Sequence, residues 1–252
     1  MKRTIRVATF NVFYGDNPHK IGQAIRANKN LADADIILLQ EVEAHSDEIK
    51  ERATIIAEEL GLSCIYAPAR ASGKETKLNG THGLAILSRF TVKESQIIPL
   101  KKYNLHFNSR DRIALSAILQ IDGELVQVCN VHLDLRINIK DRLDQITDLI
   151  EKLSSHQIKK IIIGGDFNTV PIFWAARVLP IFYSAQKNKF DKYILSKGYK
   201  GTVGKVGPTM HLKLLRFSLD DIYVKDLDFV KHAVERDLTV SDHKPVWADI
   251  QL

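Results

Sequence analysis

Cysteine is scarce in this chain, with two in 252 residues, Cys64 and Cys129. Each lies in an apolar, strand-like run. That excludes a disulfide framework and a cysteine metal site, and both read as buried thiols. There is no CxxC, no GxSxG and no glycine-rich loop to cradle a phosphate. A covalent serine or cysteine mechanism therefore has no support. No stretch approaches the ~18 apolar residues of a membrane span. The first residues, MKRTIRVATF, lead straight into a strand pattern without a signal-peptide core. The expectation is a soluble, cytoplasmic monomer. Repeats, low-complexity runs and linkers are also missing, so residues 1–252 read as one domain. Acidic residues are absent from Lys192 through Leu219, a stretch that carries Lys192, Lys197, Lys200, Lys205, His211, Lys213 and Arg216.

The composition that remains is globular, 45% hydrophobic and 26% charged. A chain of this length buries a full core without staples. Its net charge of +6 favours polyanionic partners, nucleic acid or an anionic lipid surface. The acid-free stretch reads either as a solvated basic face or as an electropositive wall beside a substrate.

Strand and helix patterns alternate. Thr4 to Phe10 predicts a strand with Asn11 just after it. Asn17-Pro18 predicts a helix start, a capping side chain followed by proline at the first helical position. Ile36 to Leu39 predicts a short buried strand ending in Gln40 and Glu41. Ser46 is expected to cap a helix with Ile49, Ile56 and Leu60 inward and Gly61 as its stop. Residues 68–82 read as a loop near a site mouth, and Gly83 to Ser88 as a buried strand. Asp122-Gly123 between two apolar runs predicts a two-residue hairpin. Its second arm carries Asn130, His132 and Asp134. Asp141 to Ser154 predicts an amphipathic helix. Pro171 to Gly198 reads as helix in pieces, followed by a basic loop. Leu219 to Val224 and Val246 to Ile250 are strands, and Phe229 to Val234 is a further candidate.

The most informative stretch is Lys160 to Asn168, KIIIGGDFN. Three isoleucines read as a buried strand ended by Gly164 and Gly165. Asp166 and Asn168 would lie on the same side if the chain stays extended. Asn11, Glu41, His132, Asp220, Asp242 and His243 likewise sit at the ends of apolar runs. Each has an ordinary reading alone, as a turn former, a strand end or a structural histidine. Strands sharing a sheet bring such tips together, and ligands of α/β sheets bind off strand ends. Carboxylates, amides and imidazoles without thiols suit Mg²⁺ or Mn²⁺ better than Zn²⁺. The inventory suits hydrolysis of a phosphate ester, where positioning and charge stabilisation do most of the work.

In order, TFNV, LLQEV, GLAILSR, NVHLD, GGDFNT, LDDIYV and SDHKPV resemble the motifs of the endonuclease/exonuclease/phosphatase superfamily, most closely a short bacterial branch. The resemblance runs from Thr9 to Val246. It implies an α/β fold, a four-layer sandwich of two packed β-sheets flanked by helices. The strand and helix patterns alone would equally fit a doubly wound sheet. It implies Glu41 as the central metal ligand, with Asn11 beside the metal and the phosphate, and Asp242 as a further metal-site carboxylate. It implies Asp166 as the group that aligns and activates water, and Asn168 as a hydrogen-bonding contact to that nucleophile or to a phosphate oxygen. His132 would stabilise the transition state. His243, oriented by Asp220, would bind the scissile phosphate. Arg112 is placed on the phosphate side, and His82 near the mouth as a substrate contact.

Two departures stand out. Phe13 occupies a position where many relatives carry histidine or aspartate, so a one-metal site is expected. Gly83-Leu84 replaces a Gly-Asn pair, which removes a polar contact. The functional expectation is a divalent-metal-dependent phosphoesterase using water in line, with a nuclease somewhat favoured. The alternatives are the same chemistry on a phospholipid or inositol phosphate, and a catalytically silent binding module.

Overall fold

A computed structural model of the chain describes residues 3–45, 48–69, 81–104, 111–169, 180–202, 207–212 and 215–252. One six-stranded sheet comprises β1 (Thr4–Tyr14), β2 (Ile36–Ala44), β3 (Ser63–Pro68), β4 (Thr81–Ser88), β13 (Asp228–Val234) and β14 (Val246–Gln251). Its order is β13-β14-β1-β2-β4-β3. The second comprises β5 (Thr91–Pro99), β6 (Ile113–Ile121), β7 (Glu124–His132), β8 (Ile161–Asp166), β9 (Lys200–Gly201) and β12 (Asp220–Lys225), ordered β5-β6-β7-β8-β12-β9. β10 (Met210–Leu212) and β11 (Leu215–Phe217) form a small hairpin. Helices α1 (Pro18–Ala27) and α2 (Arg52–Leu60) cover the first sheet; α3 (Ile139–Ser154) and α4 (Pro180–Ser196) cover the second. This is the four-layer α/β sandwich.

Alternation along the strands builds three apolar layers. Ile5 and Val7 face the other sheet, while Ala8 and Phe10 face α1 and α2. Ile162 of KIIIGGDFN enters the inter-sheet core; Ile161 and Ile163 pack toward α3 and α4. Strands buried on both faces read as unbroken apolar runs for this reason. Each such isoleucine contributes about 1.5–3 kcal/mol by leaving water.

Gly165 fixes how closely β7 and β8 approach. Its φ is +152°, and an added Cβ would lie 2.0 Å from the Val131 carbonyl oxygen. At Gly164 the obstacle is only the tip of Leu38, at 2.7 Å. Gly165→Ala is therefore expected to destabilise by about 3 kcal/mol or more, because a parallel strand pair cannot part locally. Gly164→Ala should cost clearly less. Urea unfolding of the two variants checks the order.

A buried polar bridge joins the sheets at the end where the site lies. Gln40 Nε2, with two N–H groups, lies 2.7 Å from Asn130 Oδ1 and 3.0 Å from both Thr9 Oγ1 and the Leu38 carbonyl. Asn130 Nδ2 donates to the Leu39 and Ala85 carbonyls, both at 2.8 Å. These buried amide hydrogen bonds fix one sheet against the other.

Asn17 caps α1 by accepting the Lys20 N–H, and Asp122-Gly123 turns with φ of +48° and +88°, as the hairpin requires. Other expectations need correction. α2 starts at Arg52, with Glu51 at its N-cap, and Ile49 is fully exposed instead of inward. Arg52 bridges Glu48, Asp16 and the Tyr14 carbonyl there. Ser46 lies outside the described residues. So do residues 70–80 of the mouth loop and residues 170–179. Pro180–Ser196 is one helix, and Lys192 sits on it. The basic stretch is thus a helix end, β9 and the β10–β11 hairpin instead of one loop; Lys205 and Lys213 are not described. Cys129 is buried, but Cys64 is only half-buried.

Candidate active site

β1 and β2 do not stop where their apolar runs stop. Both continue through coincident irregularities, between Asn11 and Tyr14 on β1 and between Gln40 and Val42 on β2. Phe13, Tyr14 and Glu41 have φ of +46°, +68° and +57°. Left-handed backbone costs a residue with a Cβ about 1–2 kcal/mol. The effect is to rotate Glu41 out of the strand alternation. Asn11 holds the bend, its Oδ1 accepting the Phe13 N–H at 3.1 Å. Its Nδ2 donates to Asp166 Oδ2, also at 3.1 Å, so one amide ties the two sheets.

In the second sheet, register lines up three groups. His132 pairs with Asp166 across β7 and β8, and Asp166 pairs with Asp220 across β8 and β12. Beyond Asp166 the chain turns instead of extending. Asn168 has φ +48°, its N–H donates to Asp166 Oδ1 (2.9 Å) and its Nδ2 to the Leu133 carbonyl (3.0 Å). Asp166 and Asn168 thus share the site through a turn, not through strand periodicity.

His243 arrives from the other sheet. Its Nδ1 donates to Asp220 Oδ2 at 2.8 Å, and its Nε2 lies 3.8 Å from Asp166 Oδ2. Two residues set its loop. The Ser241 hydroxyl donates to the Asn11 carbonyl and accepts the His243 N–H. Buried Thr209 accepts the Leu219 and Asp220 N–H groups on Oγ1 (3.0 and 3.2 Å), and its carbonyl accepts the Lys244 N–H (2.6 Å). Thr209 therefore clips the Asp220 strand to the His243 loop. His132 faces inward from the opposite side, its Nε2 3.7 Å from both Glu41 Oε1 and Asp166 Oδ2. Arg112 lies 3.3 Å from His132 Nδ1. A guanidinium only donates, so Nδ1 accepts and the neutral ring carries its proton on Nε2, toward the carboxylates.

These groups floor a cleft of about 290 Å³. Glu41, Arg112, His132, Asp166, Asn168, Asp242 and His243 line it. Asn11 and Asp220 stand behind that lining and act on it through Asp166 and His243. His82 does not line it. The pairing of Glu43 with His82 across β2 and β4 sets its Nε2 3.4 Å from Glu43 Oε1, and its ring packs on Tyr14 beside a smaller hollow behind Arg112 and His132. Sequence reading missed Arg136, Leu135, Met210, Phe217 and Tyr14 in the lining, and Thr209 and Ser241 behind it. Phe13, noticed only as a departure, also lines the cleft.

The electrostatics divide the groups by role. Burial, then the Asp220 and Glu41 charges, push the Asp166 carboxyl up to about 7, against the pull of His243. Burial would lower His243, but Asp220, with Asp166 and Asp242, overrides it and holds the imidazolium up to about 10. Glu41 also lies above its ordinary value. Burial and Asp242 raise it, against the Asn11 amide and the Arg112 and His243 charges. Carboxylates crowded this way suit a cation. Among the described residues, Asp166, Asp220 and His243 bring potential ligand atoms within 4.8 Å of one another. There His243 Nδ1 is committed to Asp220, and an imidazolium repels a cation. The Glu41 and Asp242 side offers hard carboxylate oxygens and fits a divalent ion better, while Asn11 turns its Nδ2 toward Asp166 and commits its oxygen to the Phe13 N–H.

No match was found among curated proteins. Solved structures resemble the chain along its whole length. An endonuclease/exonuclease/phosphatase from Beutenbergia cavernae DSM 12333 superposes with TM-score 0.80 at 19% identity, covering 99% of this chain and 72% of its own. The human Nocturnin catalytic domain with bound sulfate anion gives 0.68 at 18%, covering 99% and 96%. The mannosyl-6-phosphatase Bt3783 of Bacteroides thetaiotaomicron VPI-5482 gives 0.67 at 17%, covering 98% and 99%. At these identities the likeness is one of fold. Residues 8–243 match the Endonuclease/Exonuclease/phosphatase family, and with that match over nearly the whole length the chain belongs to this family of phosphoric ester hydrolases.

Proposed function

We propose that the chain hydrolyses a phosphodiester by in-line attack of water and requires Mg²⁺ or Mn²⁺. The observation that carries this is Asp166: a buried carboxyl in the cleft lining, with the Nε2 atoms of two imidazoles within 3.7 and 3.8 Å. A buried carboxylate facing two imidazole rings suits water activation at a crowded phosphoryl group. Asp166 takes the proton of the attacking water, held by the hydrogen bonds from Asn11 and Asn168. His243, kept cationic by Asp220, binds the non-bridging phosphate oxygens, and His132 Nε2–H and Arg112 stabilise the charge that develops on them. Glu41 and Asp242, with Asn11 beside them, would hold the divalent ion. When bound, that ion supplies Lewis-acid polarisation of the phosphate and charge stabilisation at the leaving oxygen.

A nucleic-acid substrate is favoured by the net charge of +6 and by Arg112 and Arg136 in the cleft. Phospholipid or inositol phosphate is the second reading. The name of Bt3783, a phosphatase, also keeps monoesters in the comparison. Bis-p-nitrophenyl phosphate is expected to be hydrolysed with Mg²⁺ or Mn²⁺, and chelator should abolish the rate. Parallel digestion of plasmid DNA, RNA, sphingomyelin or phosphoinositide liposomes and a sugar phosphate then assigns the class. No turnover of any phosphoester with any divalent ion would leave a binding module.

A further inference from the structure

The cleft has a polar floor and apolar flanks. Leu135, Met210, Phe217 and Leu219 pack as a cluster on one flank. On the rim stands Phe13, 48% exposed. The other exposed large hydrophobic side chains among the described residues, such as Ile49, Ile97 and Val230, line no part of the cleft.

Phe13 is half exposed on left-handed backbone, in a tight turn that the Gly15 N–H closes onto the Val12 carbonyl. It, Tyr14 and Gly15 are three successive left-handed residues, and only the third is glycine. Exposure and strain at the same residue bring folding no gain, and such outliers concentrate where a ligand is held. The ring is also preorganised. Tyr14 meets it edge-on at a centroid distance of 4.6 Å, and Asn11, which bonds Asp166, holds its N–H. A second hollow, lined by Asn17, Lys20 and Thr239, opens beyond Phe13, so the ring stands as a ridge between two open spaces.

We propose that Phe13 determines specificity by stacking on a planar aromatic group, an aryl ring or a nucleobase, attached to the phosphate bound on the cleft floor. The substrate is then a phosphoester of an aromatic or nucleoside alcohol. This rests on the phosphoesterase reading of the same cleft. A volume of about 290 Å³ accommodates a phosphate and one ring, near the lower end of small-molecule sites. One exposed aromatic side chain on the rim, braced edge-on by Tyr14, suits a single stacked ring. A lipid surface calls for a collar of exposed apolar residues.

The test is calorimetric binding to the Mg²⁺-loaded protein, which needs no turnover. Phenylphosphonate is compared with methylphosphonate, and thymidine 5′-monophosphate with 2-deoxyribose 5-phosphate. The parent is expected to prefer the aromatic member of at least one pair about tenfold or more, the scale of one base stack. Phe13→Ser should reduce that preference to about twofold, and Phe13→Tyr should keep it. The pair with the larger loss identifies the source, aryl or nucleobase. Phe13→Gly should lose the preference while raising Tm by about 2–4 °C, since glycine relieves the left-handed strain. Preferences that Phe13→Ser leaves unchanged, or a parent with none, overturn the proposal. Mg²⁺-dependent turnover of bis-p-nitrophenyl phosphate by the parent reports separately on the phosphoesterase reading.

Discussion

Asp166→Asn is expected to lower kcat on bis-p-nitrophenyl phosphate at least ~100-fold, the scale of a lost general base. The substitution keeps the shape and removes the proton acceptor. Both carboxylate oxygens now accept, Oδ1 from the Asn168 N–H and Oδ2 from Asn11 Nδ2. An amide accepts on one side only, so one of those bonds is lost. Removing a buried charge beside Asp220 and Glu41 offsets that loss, and Tm should stay within a few degrees of the parent. The pH profile separates this role from a structural one. Only the ionised carboxylate takes a proton, so parental kcat/KM should fall tenfold per pH unit on the acid side of the Asp166 pKa. That pKa is raised to about 7 by burial and by Asp220 without a cation, and a bound cation moves it lower. The acid limb therefore lies at or below neutrality, and Asp166→Asn should flatten it. A variant keeping more than a tenth of the parental rate, with its acid limb intact, would remove Asp166 from proton transfer.

What could be read in the residues, and what could not, follows from how far each interaction reaches. The isoleucines of KIIIGGDFN announced a doubly buried strand because period-two alternation between two apolar layers leaves no polar position. The same stretch suggested that Asp166 and Asn168 meet by alternation. They meet through a turn at Asn168, whose positive φ is set by Asp166 Oδ1 and the Leu133 carbonyl. At the bends that present Glu41 and Phe13, the left-handed Phe13, Tyr14 and Glu41 are neither glycine nor asparagine. Asn11 holds the Phe13 bend, and its bond to Asp166 spans 155 positions. His82 looked like a mouth residue by proximity in sequence, but strand pairing aims it at Glu43. Thr209 gave no signal, since its bonds reach Asp220 and Lys244. Motif order did bring Glu41 and His243, from different ends of the chain, into the lining of one cleft.

Glu41→Gln should weaken Mn²⁺ binding by at least ~100-fold in titration calorimetry. Loss of an outer-shell partner alone costs 10–100-fold, and Glu41 is assigned direct contact. The metal-free protein is expected to respond in the opposite sense. Burial and Asp242 raise the Glu41 pKa above its ordinary value, so the fold disfavours the ionised form. Stability tied to a raised carboxyl is present in acid and is lost as pH rises through its folded-state pKa. At pH 7, neutral glutamine removes that penalty, and metal-free Glu41→Gln should melt above the metal-free parent. Near pH 4, where the parental carboxyl is protonated, the two should converge. Added Mg²⁺ should raise the parental Tm, since a ligand of the native state stabilises it, and leave the variant unmoved. A carboxylate on left-handed backbone, among other carboxylates, is unfavourable until a cation arrives. Its cost to the fold is therefore the measure of what the site gains from the ion. A variant that still binds Mn²⁺ with parental affinity, or whose Tm still climbs with Mg²⁺, would place the ion elsewhere and leave the strained bend at Glu41 without a function.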